Sequence, residues 1–200
     1  LEHSRKKICE YFSVSTQEII FTSCGTEADN MIIDGAFNHL GIKHFITSPI
    51  EHHAVLSPLK NLKRKGYIKL DFLKINEYGL PDFVDLKRLL SSSDEIKMVS
   101  LMHVNNELGT IIDLYKVGEL CKSHNALFHS DTVQSVGHFK LNFDKLPVDF
   151  AVASAHKFHG PKGIGFIYAC KKNKLGSFIY GGEQESCLLY TSDAADDDHC

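Results

Sequence analysis

The segment Ser154-Ala-His-Lys-Phe-His-Gly-Pro-Lys-Gly163 follows an apolar run, Asp149-Phe-Ala-Val-Ala-Ser154, and sets lysine among histidines ahead of Gly-Pro and Gly turns. A lysine held in a pocket can give up its proton and attack a carbonyl to form a Schiff base, which makes Lys157 a candidate nucleophile. Lys162, inside the Gly-Pro turn, is not one. Asp131 emerges from a second apolar run, Ala126–His129. A carboxylate there is costly unless a cation or several donors meet it, although it reads as well as the N-cap of a following helix. After a third run, Glu18–Thr22, come Ser23-Cys24-Gly25-Thr26-Glu27. Gly25 permits a tight turn and Thr26 suits an N-cap, so the free amides and hydroxyl would cradle a phosphate. A capped helix without a ligand fits the same residues. His52 and His53 are adjacent and point to different sides, a poor arrangement for one metal; either they lie on a surface loop or one is an aromatic acid–base group at a pocket rim. Asn105-Asn106-Glu107-Leu108-Gly109 is turn chemistry, and also a dense set of hydrogen-bonding groups at a strand's end.

One cofactor uses all of these parts. Pyridoxal phosphate needs a lysine for its aldehyde, an acid against its pyridine nitrogen, a phosphate cradle and an aromatic group over the ring. No G-x-G-x-x-G or Walker lysine motif offers a nucleotide site instead.

The elements that must position these residues follow from periodicity. Helices are predicted over 4–12 (with Ile8, Tyr11 and Phe12 at helical spacing), 26–40, 53–65, 82–90 and 113–123. Strands are predicted over 18–22, 43–47, 67–73 (Ile68, Leu70 and Phe72 on one face), 97–102, 126–129, 149–154 and 164–168. Such alternation calls for right-handed βαβ crossovers and an α/β fold: a mostly parallel sheet with helices on both faces and ligands beyond the strands' carboxyl ends. Residues 1–186 read as one domain.

The 200 residues are 43% hydrophobic and 24% charged, the composition of an ordinary globular chain. No apolar run approaches the roughly 18 residues of a membrane helix. The net charge of −3 gives no reason to expect nucleic acid or an anionic bilayer. The six cysteines and twelve histidines are dispersed; no zinc cassette or disulfide framework is read, no metal is expected, and the cysteines suit a reducing cytoplasm. The stretch 187–200, with four acids within Asp193–Asp198, breaks from the rest and reads as a non-native tail; the first residue is leucine, so the chain reads as a fragment.

Six stretches in order carry a resemblance: Phe21-Thr-Ser-Cys-Gly-Thr-Glu27, Ile50-Glu-His-His-Ala-Val-Leu56, Met102-His-Val-Asn-Asn-Glu-Leu-Gly109, His129-Ser-Asp-Thr-Val-Gln-Ser-Val-Gly137, Ser154–Gly163 and Gly181-Gly-Glu-Gln-Glu185. Together they resemble the class V aminotransferases, and within them the NifS/IscS-type cysteine desulfurases. The resemblance implies the large domain of the type I pyridoxal phosphate fold, with strand 164–168 antiparallel. It implies Lys157 as the cofactor lysine, Asp131 on the pyridine nitrogen, Gln134 on the ring's 3-oxygen and His52 stacked on the ring and assisting proton transfer. Gly25, Thr26, Ser154 and His156 would hold the phosphate, and Asn106 would lie near the substrate carboxylate. The implied substrate is L-cysteine, with sulfur passed through a persulfide to an acceptor or iron–sulfur scaffold protein by a homodimer. The family's sulfur-accepting cysteine follows the Gly-Gly-x-Gln-Glu motif, a place that none of Cys9, Cys24, Cys121 or Cys170 occupies, so this chain alone is not expected to complete turnover. A selenocysteine lyase or another class V aminotransferase is the alternative. A non-catalytic scaffold of the same fold is disfavoured by the presence of Lys157, Asp131 and His52.

Overall fold

Alternation along the strands divides the core in two. The computed structural model describes residues 2–173 together with Leu175, Gly176 and Phe178. The strands are β1 (Ile19–Thr22), β2 (His44–Thr47), β3 (Lys69–Phe72), β4 (Lys97–Ser100), β5 (Leu127–Asp131), β6 (Phe150–Ser154) and β7 (Gly165–Ala169). The helices are α1 (Glu2–Phe12), α2 (Gly25–Asn38), α3 (His53–Arg64), α4 (Phe83–Leu90) and α5 (Leu114–Ser123). Successive strand residues point to opposite faces. Ile46, Val99, Phe128 and Ala151 meet α1, α4 and α5 on one face. Phe45, Met98, Phe150 and Val152 meet α2 and α3 on the other.

The sheet order is β1-β7-β6-β5-β4-β2-β3, and β7 alone runs antiparallel to its neighbours, as the resemblance implied. β2 pairs with both β3 and β4, so the chain winds outward in one direction through β3 and in the other through β5 and β6. Such a reversal of winding leaves a crevice at the strands' carboxyl ends. No described helix is long and apolar enough to cross a membrane.

Four local expectations need correction. Cys24, not Thr26, holds the N-cap position of α2, without a side-chain cap bond. Glu27 instead reaches back to the Ser23 amide, 2.5 Å away, which leaves the Thr26 hydroxyl at the cavity rather than spent on the helix. Tyr11 is 58% exposed, because Phe12 takes the inward position and stacks on Phe143. Phe72 is partly exposed at strand β3, which among the described residues has no neighbour on its outer side. Asp131 opens no helix: its Oδ1 accepts a bond from the Val133 amide, 2.9 Å away, closing a turn.

Candidate functional site

Loops after β1, β2, β4, β5 and β6 meet over a cavity of about 290 Å³ lined by Cys24, Gly25, Thr26, Asp29, His52, Met102, Asn106, Asp131, Val133, Gln134, Ser154, His156 and Lys157. Every candidate residue read from the sequence lines it, although the residues come from segments up to 132 positions apart, from Gly25 to Lys157. The volume is near the lower end of the ligand-pocket range. A larger cavity of about 520 Å³, bounded by residues such as Glu18, Ala126 and Asp149, lies toward the strands' amino ends and contains none of these candidates.

Close approach sets the floor. A Cβ on Gly25 would come within 2.8 Å of Val133 Cγ2, so only glycine lets α2 begin against the turn after β5. Gly160 plays the same part under the lysine: a Cβ there would lie 2.8 Å from Ala155 Cβ. Ala155 opens the short helical turn Ala155–Lys157, and its carbonyl accepts from the amides of Phe158 and Gly160. Lys157 is therefore carried on a fixed backbone with an exposed side chain. Ser154, buried at the end of β6, places its Oγ 3.0 Å from His156 Nδ1.

His52 caps α3 with its own ring. Its Nδ1 accepts from the Ala54 amide at 3.1 Å, so the neutral ring carries its proton at Nε2. His52→Ala is expected to cost about 1 kcal/mol in chemical unfolding, as a lost N-cap does, whereas His52→Asn, which keeps an acceptor, should lose only a few tenths. Equal destabilisation by both variants would show that the cap bond contributes nothing.

Buried carboxylates surround the β5 end. Asp131 is 6% exposed, and burial, with the Asp29 carboxylate nearby, pushes its carboxyl up to about 7. Glu51 is pushed up to about 8, chiefly by burial, despite bonds from Ser48 Oγ at 2.6 Å and the Met102 amide at 2.7 Å. Those bonds pin the loop bearing His52 to the end of β4. Asn105 adds a second tie, donating to the Ile50 carbonyl at 2.9 Å while its Oδ1 accepts from the amides of Glu107 and Leu108.

Because the fold raises the Glu51 carboxyl from 4.5 to about 8, its stabilising contribution is complete below pH 4.5 and is lost as pH rises towards 8. The loss is of order 5 kcal/mol. Glu51→Gln stays neutral and should remove that part of the slope, so its stability relative to the parent rises between pH 5 and pH 8.5 in urea unfolding. Parallel pH profiles would refute the assignment.

The sequence reading missed Asp29, Glu51 and His129, while Asn105 does the turn chemistry read for it. An acid among Ala28, Met31, Ile32 and Ile33 on the buried face of α2 was the available signal for Asp29. Cys24 also lines the cavity, while Cys9 and Cys121 are buried in the core. The predicted motif 181–185 and tail 187–200 lie outside the described residues.

The class-V aminotransferase profile matches residues 1–198. The chain belongs to this family. It is 44% identical over 188 residues to cysteine desulfurase IscS of Dictyoglomus turgidum, covering 93% of this chain and 47% of that protein. It is 41% identical over 189 residues to the IscS of Pseudomonas putida, covering 92% and 46% respectively. The chain thus spans about half the length of the curated relatives it matches. Among solved structures, a NifS-like protein superposes with a TM-score of 0.87 at 39% identity, covering 96% of this chain and 53% of that one. SspA in complex with cysteine gives 0.85 at 33% identity, covering 95% and 55%. Class V aminotransferases are in general pyridoxal phosphate enzymes.

Proposed function

We propose that the protein is a pyridoxal phosphate-dependent cysteine desulfurase, acting on L-cysteine to give L-alanine and a protein persulfide. The observation that carries this reading is the placement of Lys157 and Asp131 at the ends of adjacent strands β6 and β5, in one cavity with a helix N-terminus. The relatives named IscS and the cysteine complex of SspA support the substrate class.

The residues fit the cofactor. Asp131 is a buried carboxyl without a cationic ion-pair partner among the described residues, and a protonated ring nitrogen would supply one. The α2 N-terminus, with Thr26, and the Ser154–His156 pair offer donors to a phosphate dianion. Gln134 would reach the ring's 3-oxygen, and Asn106 the substrate carboxylate. When bound, the cofactor supplies an electron sink that makes the substrate's α-proton acidic and its C–S bond breakable. Lys157 holds the cofactor and carries the proton that moves to and from the substrate. His52, with its proton fixed at Nε2, covers the ring and excludes water from its face.

In the net reaction a protein thiol takes the sulfur. The substrate's C–S bond breaks, an S–S bond forms, and the carbon gains a proton, so no outside oxidant or reductant enters. The family resemblance assigns that thiol to the segment after Glu185. The protein is read as cytoplasmic and homodimeric, delivering sulfur to an acceptor or an iron–sulfur scaffold protein. Adding pyridoxal phosphate to the full-length protein should give a visible absorbance band that changes with L-cysteine, followed by alanine formation and sulfide release with added thiol. A protein that stays colourless overturns the cofactor, and alanine without sulfur transfer overturns the desulfurase.

A further inference from the structure

Behind Asp131 lies a buried acid–base pair to which the proposed function gives no task. Asp29, on α2, is 1% exposed and lines the same cavity. Its Oδ1 stands 3.2 Å from Nε2 of His129, a fully buried residue of β5, and among the described residues neither atom has a partner in hydrogen-bond geometry, the other included. The other ring nitrogen, Nδ1, is 2.9 Å from Ser100 Oγ on β4. Among the described residues, neither Asp29 nor Asp131 forms an ion pair with a lysine or arginine.

Two carboxylates buried this closely cannot both carry charge without a cation between them. Besides each other, Asp29 and His129 both face Asp131 on β5; Glu51 in the β2–α3 loop lies within the field of Asp29, and His52 at the start of α3 within that of Asp131. Burial raises Asp29 well above the ordinary carboxylate range and lowers His129 to about 4, so burial opposes charge on either member of the pair. Between a neutral acid and a neutral imidazole the shared proton can lie either way, as acid O–H to ring nitrogen or ring N–H to acid oxygen, and the first places the ring's own proton on Nδ1, facing Ser100 Oγ.

We propose that Asp29 is a positioning residue of this cavity: it keeps its proton, donates it to Nε2 of His129, and so leaves Asp131 as the one carboxylate at the β5 end that charges when a cationic ligand atom arrives. His129 Nδ1–H then donates to Ser100 Oγ, which ties α2, β5 and β4 together beneath the cavity floor. The consequence for the ring nitrogen rests on the pyridoxal phosphate reading; the proton arrangement does not.

The pair is tested in the cofactor-free full-length protein by ¹⁵N NMR of histidine between pH 5 and 8. His129 is expected as the Nδ1–H tautomer, with no protonation across the range. Asp29→Asn, whose amide can donate to Nε2, should retain that tautomer, and Asp29→Ala should let the ring revert to the Nε2–H form. Cofactor affinity, read by titration of the absorbance band, should fall about tenfold in the alanine variant and be largely restored by asparagine. A doubly protonated or Nε2–H His129 in the parent overturns the proposal, as does an asparagine variant that behaves like alanine. If the parent binds no pyridoxal phosphate, the proposed function fails and the tautomer alone decides this inference.

Discussion

Lys157→Ala is expected to abolish the visible band of bound pyridoxal phosphate and to lower sulfide release from L-cysteine at least about 10³-fold, the scale on which loss of a covalent nucleophile is felt. The geometry makes the experiment interpretable. The Lys157 side chain is exposed, whereas its backbone is held by bonds that an alanine keeps: the carbonyl accepts from His138 Nε2 at 2.8 Å, and the turn closes through the Ala155 carbonyl. The variant should therefore unfold within about 0.5 kcal/mol of the parent. Lys162→Ala, in the Gly-Pro turn and absent from the cavity lining, is the matched control and should keep both band and turnover. A Lys157 variant that retains the band would transfer the cofactor's attachment elsewhere and remove the basis of the proposed mechanism.

Asp131→Asn should separate function from stability in opposite directions. The amide oxygen can still accept from the Val133 N–H, so the turn after β5 survives. The variant also no longer pays for charging a carboxyl that burial raises to about 7. Below the ordinary value of 3.8 the two proteins should be alike; as pH rises from there to about 7 the parent loses stability relative to the asparagine variant, because its unfolded chain ionises while its folded carboxyl does not, and above 7 the difference stays constant. Turnover should nevertheless fall about 10²-fold or more, because a neutral amide cannot hold the ring nitrogen in its cationic, electron-withdrawing form. Sulfide release measured beside urea unfolding at pH 8 reads both effects. Turnover within threefold of the parent would rule out a charge role for Asp131.

Particular elements show how far the sequence could be read. All residues of β2 and β6 are buried because both faces of a central strand are covered, and their apolar centres, Phe45-Ile46 and Phe150-Ala-Val-Ala153, give strands directly. Asp82 and Asp113 mark true helix starts, each accepting from amides of the first turn. Thr26 had the same chemical credentials and was misplaced, since the competing bond from Glu27 to the Ser23 amide is visible only once the turn is built. The outermost position of β3 among the described strands, which exposes Phe72, depends likewise on strand order rather than on its own residues.

Residue types and their local spacing determined the α/β alternation and singled out a lysine and an acid at strand ends, because strand ends, turns and caps are short-range features, while Gln134, Ser154 and His156 entered through the family resemblance. Tertiary structure alone decided the ionisation around that cavity. Asp29, Glu51, His129 and Asp131 come from α2, the β2–α3 loop and β5, and their protonation depends on burial and on one another's fields across distances that chain position does not encode.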